Sequence, residues 1–238
     1  LDPTVPEVRE YIRATVRKMT EWGYELIKHD YTTYDLFGSF GCTLNGKITA
    51  KDGWSFRDET KTSAEIVLEL YRSIRDAAGN AVIIACNAVS HLSAGIFEVY
   101  RTGDDTSGRV WSRTRAYGVN TLAFRLCQND AFYKVDADCV GIIPGKLDWS
   151  LNRQWLDLLS VSGSPLFVSV QPDAAVGEIK ADLIQAFSRS ATQHDLAEPL
   201  DWLYNNQPQV WLVNGETREY DFVEASYPEL LSGNTQSY

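Results

Sequence analysis

The chain has 238 residues, of which 44% are hydrophobic and 23% charged, as is typical of a globular protein with a substantial core. Its 32 acidic and 22 basic residues give a formal net charge of −10, which argues against a general binder of nucleic acids or anionic membranes. No stretch has the length and apolar purity of a transmembrane helix, and the first residues lack the layout of a signal peptide. We therefore expect a soluble protein, and both a cytoplasmic and a secreted or periplasmic location remain open.

The predicted elements alternate between helices and short apolar strands. A first helix precedes Gly23, and the apolar run Tyr24–Ile27 is typical of a buried strand. A connection rich in glycine and threonine, residues 31–60, leads to a helix that ends before Gly79, and a second buried strand follows at Ala81–Asn87.

The same alternation continues through the chain. Strands are predicted at Gly95–Arg101, Ala131–Asp136 and Pro165–Val170, and helices at Val110–Asn129, Leu151–Val161 and Val176–Ser190. Serial alternation of this kind predicts an α/β fold in which helical crossovers join about five parallel strands.

The composition of the sequence changes near residue 198. The segment that follows is aromatic and rich in turns, and Asn214-Gly215 forms a hairpin-turn dipeptide between two apolar runs. We expect residues 1–197 to form the α/β part of the chain, and residues 198–238 to form a linker and the beginning of a β-rich appendage with antiparallel strands.

No motif in the sequence predicts a cofactor or a metal. A phosphate loop, a dinucleotide-binding glycine motif and a serine nucleophile elbow are all missing. His91 and His194 have no matching ligands at metal spacing. The cysteines are scattered without a C-x-x-C pair, which favours free or buried thiols; they are Cys42, Cys86, Cys127 and Cys139.

Charged residues follow the carboxyl ends of the predicted strands. Asp30 follows the first strand, and Asp104 and Asp105 follow the third. Ligands bind at this edge in barrels and open α/β sheets, and two opposed carboxylates are the equipment for glycoside hydrolysis. Position alone leaves open that these residues are solvated loop acids or helix caps.

Lys28 lies two residues before Asp30, so both side chains are expected on one side of the strand. A neighbouring ammonium lowers the pKa of a carboxyl group and can donate to a sugar hydroxyl. A simple ion pair at the end of a strand is the alternative. His29 is expected on the opposite side, in a structural role.

Two motifs resemble those of the α-galactosidases of glycoside hydrolase families 36 and 27, whose catalytic domain is a (β/α)8 TIM barrel. In IKHD, Lys28 and Asp30 match the Lys-x-Asp motif at the end of strand four. In RTGDD, Arg101 and Asp105 match the Arg-x-x-x-Asp motif at the end of strand six. The segments IIACN, VDAD and SPLFVS resemble strands five, seven and eight in the same order. The likeness covers roughly residues 1–200.

The resemblance implies roles for the residues of both motifs. Asp30 would be the nucleophile and Lys28 a ligand of the sugar hydroxyls. Asp105 takes the place of the acid/base, whereas Asp104 lies one residue early and is less favoured. Arg101 would bind the sugar and orient the carboxylates.

The resemblance also implies a pocket wall. Cys86 and Asn87 would line it, and Asp138 matches the last residue of the strand-seven segment, where this chain lacks the proline of the family. Asn87 and Ser90 stand where family members choose between a galactose pocket and one that admits a 2-acetamido group. The pair matches neither choice, so α-N-acetylgalactosaminidase activity stays open.

By this correspondence the chain covers about strands four to eight of the barrel. Five strands cannot close an eight-stranded barrel. We therefore expect the remaining half of the barrel, in the same or another chain, as a partner. An α-galactoside oligosaccharide or glycoconjugate is the expected substrate, no nucleic acid, membrane or cofactor is expected, and a homo-oligomer remains open.

The function implied is that of a retaining glycoside hydrolase, which cleaves terminal α-galactosides by double displacement through a covalent glycosyl-enzyme. Two alternatives remain. A galactosyltransferase of the raffinose-synthase type would use the same two carboxylates and pass the sugar to another sugar. A non-catalytic carbohydrate-binding fragment would fit the incomplete barrel.

Overall fold

The computed structural model of the protein describes residues 1–40, 43–49, 53–193 and 195–222, and the chain divides into two compact units. The first unit contains Leu1–Arg101 and Asp130–Lys134. The second contains Thr102–Asn129 and the chain from Val135 onward. Cys42, His194 and the end of the predicted appendage lie outside the described residues.

The first unit is built on parallel strands. Its helices are α1 (Pro6–Glu21), α2 (Thr32–Phe37), α3 (Gly46–Thr49), α4 (Ser63–Ala78) and α5 (Ser90–Ser93). Its strands are β1 (Leu26–His29), β2 (Val82–Ala85), β3 (Val99–Arg101) and the first residue of β4 (Lys134–Asp136). The strand order is β1-β2-β3-β4, with β1 parallel to β2 and β2 parallel to β3. Since all three run in one direction, their carboxyl ends lie at one edge.

Helix α4 shows why the sequence folds this way. Thr62 and Glu65 form a capping box that satisfies the free amides at the start of the helix. The side chains of Ile66, Leu70 and Ile74 recur at helical spacing and are at most 3% exposed. The predicted helix before Gly79 is thereby confirmed. Its buried face packs against the sheet and forms part of the hydrophobic core.

The beginning of this unit differs from the sequence prediction in two ways. The first strand is Leu26–His29 rather than Tyr24–Ile27, and Tyr24 and Leu26 are 59% and 49% exposed. The strand is not fully buried because β1 is the last strand of the order and pairs on one edge only among the described residues. The predicted connection at residues 31–60 also contains the short helices α2 and α3.

The second unit carries the remaining elements. Residues 111–128 form one helical run, composed of α6 (Trp111–Arg113), a π-helical segment (Thr114–Val119), α7 (Asn120–Arg125) and a 3-10 turn (Leu126–Gln128). The later elements are β5 (Cys139–Ile142), α8 (Trp149–Val161), β6 (Phe167–Val170), α9 (Gly177–Ser190), β7 (Glu198–Pro199), β8 (Val210–Val213) and β9 (Glu216–Glu219). Strand β5 is parallel to β6, and β7, β8 and β9 form an antiparallel sheet.

The sequence predicted most of this unit. The helix at residues 110–129 is present, with a π-helical segment in its middle. The hairpin turn is present as well, since Asn214 and Gly215 both have a positive φ, as a tight turn between β8 and β9 requires. Strand β5 was not predicted, and it adds a strand to the expected five. None of the helices within the described part of the chain is long and apolar enough to cross a membrane.

Candidate active site

Asp30 lies at the carboxyl end of β1, directly before the turn that begins α2. The turn depends on Tyr31, whose φ of 64° is in the left-handed region that bulky residues rarely adopt. In this conformation the backbone amide of Tyr31 donates a hydrogen bond of 2.7 Å to Asp30 Oδ1. The turn after the strand therefore holds the carboxylate directly.

Asn87 provides a second donor from the loop after the neighbouring strand β2. Its side-chain Nδ2 donates to the same Oδ1 of Asp30 at 2.9 Å. Asn87 also has a positive φ, of 46°, which asparagine tolerates better than most residues. Its carbonyl accepts the amide of Thr33 at 2.9 Å, so the loop after β2 is fastened to the start of α2.

Lys28 faces the other oxygen of the carboxylate. The distance from Lys28 Nζ to Asp30 Oδ2 is 3.7 Å, and the two side chains are 49% and 25% exposed. The predicted placement of both side chains on one side of the strand is confirmed. The two oxygens therefore differ, because Oδ1 accepts hydrogen bonds while Oδ2 faces a cation at more than hydrogen-bond distance.

These contacts keep Asp30 ionised. Burial opposes its charge, but the hydrogen bonds from Asn87 and Tyr31 and the charge of Lys28 outweigh burial, and the pKa of Asp30 lies below its ordinary value. A carboxylate that stays ionised at neutral pH in a partly buried position is suited to act as a nucleophile.

Cys86 and Arg101 are close to the same group of charges. Burial, and after it the negative charge of Asp30, raise the pKa of the Cys86 thiol to about 12, against the opposing charges of Lys28 and Arg101. Cys86 is therefore a neutral thiol rather than a nucleophile, and its place in the wall of a sugar pocket stays a prediction. Arg101 ends β3 and is 7% exposed.

His29 lies on the other side of β1, as predicted. Its ring is within 3.2 Å of Thr32 Oγ1, and it packs against the rings of Tyr71 and Phe97 at centroid distances of 6.4 and 5.8 Å. Burial lowers the pKa of His29 to about 4, against the charges of Asp30 and Asp35. His29 is thus a neutral packing residue at pH 7.

The second unit holds the other predicted carboxylate, in the loop after β3. Asp104 Oδ2 accepts a hydrogen bond of 3.1 Å from Arg113, and Asp104 Oδ1 accepts the amide of Asp105 at 2.7 Å. Arg113 also donates to the carbonyl of Asp105. The carboxylate of Asp104 thus fixes the loop, and the choice of Asp105 over Asp104 as the reacting group stays a prediction.

Asp138 holds this loop through hydrogen bonds to Thr106. It is 8% exposed, and its Oδ2 accepts the amide and the hydroxyl of Thr106 at 2.7 and 2.9 Å. The amide of Asp138 in turn donates to Asp136 Oδ1 at 2.8 Å. These contacts give Asp138 a role in positioning the residue next to Asp105, and its assignment as a sugar ligand stays a prediction.

A close backbone approach completes the loop. Gly108 has a φ of +70°, and a Cβ atom added to it would lie 1.9 Å from the carbonyl oxygen of Gly141 in β5. Only glycine at position 108 permits this contact. The loop that carries Asp105 is therefore pinned to β5 as well as to Asp138.

The structure brings four of the predicted site residues together in the first unit: Lys28, Asp30, Cys86 and Asn87. A fifth predicted site residue, Arg101, lies near them. Asp105 and Asp138 belong to the second unit. No pattern in the sequence predicts the left-handed turn at Tyr31 or the hydrogen bonds between Thr106 and Asp138. Within the described ranges, no group of three His, Cys, Asp or Glu side chains could hold a metal ion.

Parallel strands with helical crossovers, followed by an antiparallel three-stranded sheet, define part of a (β/α)8 barrel with a β domain, the fold of the family 27 glycoside hydrolases. Solved structures of three glycoside hydrolases, one of them described as a member of family 27, are similar to this chain. No protein-family model and no curated sequence matches it.

The first of these structures is an α-galactosidase from Thermus thermophilus in complex with p-nitrophenyl α-D-galactopyranoside, with a TM-score of 0.61, 18% identity, and coverage of 94% of this chain and 43% of that one. A family 27 β-L-arabinopyranosidase from Geobacillus stearothermophilus with arabinose has a TM-score of 0.58, 15% identity, and coverage of 90% and 47%. An isomalto-dextranase from Arthrobacter globiformis with panose has a TM-score of 0.54, 14% identity, and coverage of 89% and 38%. The chain spans less than half of each.

Proposed function

We propose that this chain is the carboxyl-terminal part of the catalytic barrel of a retaining glycoside hydrolase, related to the α-galactosidases of families 27 and 36, that cleaves terminal α-galactosides. Asp30 is the nucleophile and Asp105 the acid/base. Lys28, Arg101, Asn87 and Cys86 form the wall that binds the sugar.

One observation carries the proposal. Asp30 stands at the carboxyl end of a parallel strand, where it accepts hydrogen bonds from Asn87 and Tyr31 on one oxygen and faces Lys28 with the other. A carboxyl group with a lowered pKa at this edge of a barrel sheet is what a glycosyl nucleophile requires. A solvated loop acid would not need donors from the segments that follow two strands.

The first chemical step forms a covalent intermediate. Asp30 Oδ2 attacks the anomeric carbon, the bond between that carbon and the glycosidic oxygen breaks, and Asp105 transfers its proton to the departing oxygen. Oδ2 is the better attacking atom because Oδ1 is already occupied by two donors. Lys28 binds a sugar hydroxyl and balances the negative charge before the attack.

The second step releases the sugar. Asp105, now a carboxylate, takes a proton from a water molecule, the water oxygen attacks the anomeric carbon, and the bond to Asp30 breaks. Two inversions retain the anomeric configuration. Asp30 must be ionised while Asp105 is protonated at the start of each cycle, and the donors around Asp30 supply its half of this difference.

A direct test compares two neighbouring aspartates in the complete protein. Asp30→Ala should lower the kcat for an aryl α-galactoside at least a thousandfold, as expected for loss of a nucleophile. Asp35→Ala is the matched control, because Asp35 is exposed on α2 and is expected to leave the rate unchanged. Equal activity of the Asp30→Ala variant and the wild type would overturn the proposal.

Product analysis separates hydrolysis from transfer. The hydrolase should release free galactose in the presence of other sugars, and the first anomer formed should be α. A predominant galactosylated product at moderate acceptor concentration would instead identify a transferase that uses the same two carboxylates.

A further inference from the structure

The helical run that follows the proposed acid/base contains a π-helical segment, Thr114–Val119. The backbone amide of Asn120 donates to the carbonyl of Arg115, five residues earlier, whereas an α-helix joins residues four apart. Each such turn holds one extra residue, and π-helical turns inside helices are frequent at functional sites. The segment contacts residues 102–106, which carry Asp105 and are called the acid/base loop below.

Arg113, the residue directly before the segment, holds the acid/base loop with its side chain. Its Nη2 donates to Asp104 Oδ2 at 3.1 Å, and its Nε donates to the carbonyl of Asp105 at 3.4 Å. The guanidinium lies over the ring of Tyr117, 5.1 Å from the centroid, and this cation–π contact fixes its plane. A planar group of donors fixed in this way restrains both the side chain of Asp104 and the backbone of Asp105.

The π-helical segment also approaches the acid/base loop with its backbone. A Cβ atom added to Gly103 would lie 2.1 Å from the carbonyl oxygen of Tyr117. A Cβ atom added to Gly118 would lie 3.1 Å from the methyl group of Thr106. The absence of a side chain at both glycines permits this close packing. The segment therefore contacts the loop both two residues before Asp105 and one residue after it.

The π-helical turn allows these contacts to come from one face of the helical run. In an α-helix, residues five apart project about 140° away from each other. In a π-helical turn, residues five apart are neighbours on one face, so Arg113 and Gly118 both face the acid/base loop. Thr121 stabilises the turn, because its hydroxyl donates to the carbonyls of Tyr117 and Gly118. A regular α-helix would direct one of the two contacts away from the loop.

We propose that Arg113 is a positioning residue for Asp105, and that the π-helical segment holds the acid/base loop together with it. The inference rests on the proposed function and adds the contacts that keep its acid/base in place. Proton transfer to the departing oxygen needs the carboxyl group within hydrogen-bond reach, and a misplacement of about 1 Å can cost about a hundredfold in rate. Arg113 acts through the loop and transfers no proton itself.

Two substrates separate the positioning of the acid from the general integrity of the protein. Phenyl α-galactoside has a poor leaving group that needs a proton, whereas the leaving group of 2,4-dinitrophenyl α-galactoside departs without one. In the complete protein, Arg113→Met should lower kcat/KM for the phenyl substrate about tenfold and keep that for the dinitrophenyl substrate within about twofold. Tyr117→Leu removes the ring beside the guanidinium and should lower the ratio of the two values about threefold.

Arg153 supplies a matched control in the same unit. Its Nη2 lies 3.0 Å from Asp182 Oδ1, so it forms an arginine–aspartate pair of similar length between α8 and α9. Arg153→Met should leave the ratio at the wild-type value. Arg113→Lys keeps the charge without the planar donors and should give a ratio between those of the wild type and Arg113→Met. A wild-type ratio in Arg113→Met, or an equal loss on both substrates, would overturn the positioning role.

Failure of the proposed function has a different signature. If the wild-type protein hydrolyses neither galactoside, the glycosidase assignment is wrong, and hydrogen exchange measured by mass spectrometry then decides whether Arg113 holds the loop. Faster exchange of residues 102–106 in Arg113→Met than in the wild type and Arg153→Met would support the restraint. Equal exchange in the three proteins would overturn it.

Discussion

The side-chain amide of Asn87 donates a hydrogen bond of 2.9 Å to Asp30 Oδ1, joining the ends of two adjacent parallel strands. The backbone carbonyl of the same asparagine accepts the amide of Thr33, on the helix that follows Asp30. One residue thus contributes both to the lowered pKa of Asp30 and to the position of the segment after it. Tests of the site begin with this contact.

Removal of the Asn87 donor should move the pH dependence of the reaction. Asn87→Gly tolerates the positive φ of this position and deletes the amide, so the pKa of Asp30 should rise. Because Asp30 reacts as a carboxylate, the acid limb of the kcat/KM profile should shift to higher pH. An acid limb at the wild-type position would show that Asn87 does not control the ionisation of the reacting group.

Loss of Lys28 should affect activity far more than stability. The pair with Asp30 is half exposed at 3.7 Å, and such pairs contribute less than about 1 kcal/mol to folding. Lys28→Met should therefore change the free energy of unfolding by about 0.5 kcal/mol, while kcat/KM falls at least tenfold through loss of a sugar ligand. Urea denaturation and steady-state kinetics measure the two effects. A purely structural ion pair would leave the kinetics intact.

The two adjacent aspartates of the second unit should respond differently. Asp105→Gly removes the acid/base, so substrates with poor leaving groups should lose at least a hundredfold in kcat through the first step. With an activated aryl galactoside, which forms the glycosyl-enzyme without acid assistance, added azide should restore turnover by replacing water as the second nucleophile. Asp104→Asn weakens the contact with Arg113 and should cost about threefold. Azide rescue of Asp104→Asn rather than Asp105→Gly would reverse the assignment.

The close approach of Gly108 to Gly141 should be visible in stability. Gly108→Ala combines a φ of +70° with a clash of 1.9 Å against a backbone oxygen, and should destabilise the protein by about 3 kcal/mol or more. Gly145→Ala is matched in φ but has nothing within 4 Å, and should cost about 1 kcal/mol. Equal costs in thermal unfolding would mean that the loop moves freely off β5.

His29 should make part of the stability dependent on pH. Its pKa of about 4 in the folded protein lies below the ordinary 6.5, so protonation favours unfolding. This contribution is fully present above pH 6.5 and is lost as pH falls toward 4. His29→Gln should therefore remove about 3 kcal/mol of the loss in unfolding free energy that the wild type shows between pH 7 and pH 4. Parallel pH profiles of the two proteins would contradict the neutral, buried state of His29.

Much of the fold could be predicted from the periodicity of apolar residues along the chain. The elements that were not predicted were missed for physical reasons. Helix α4 carries apolar residues at regular spacing, and the hairpin at Asn214 carries its turn dipeptide, so local chemistry specified both. Strand β5 has four residues with Gly141 among them and follows two aspartates, which hides a strand pattern. Helix α2 begins at a left-handed tyrosine and contains two threonines, which are weak helix formers, so only tertiary packing of Phe37 reveals it.

The contacts of the site could also be predicted only where they depend on residues close in sequence. The spacing of Lys28 and Asp30 predicted their ion pair, because side chains two residues apart lie on the same side of a strand. The bond from Asn87 depends on the register between β1 and β2, which no local pattern contains. The bond between Thr106 and Asp138 likewise joins residues distant in sequence.

The central claim is that Asp30 forms a covalent bond to the sugar, and one experiment tests it directly. The complete protein is treated with a mechanism-based fluorinated α-galactosyl fluoride, which accumulates the glycosyl-enzyme, and the labelled peptide is sequenced by mass spectrometry. The account predicts a single fluorogalactosyl group on the carboxylate of Asp30, and none in Asp30→Ala. A label on any other residue, in a protein that hydrolyses α-galactosides, would contradict it.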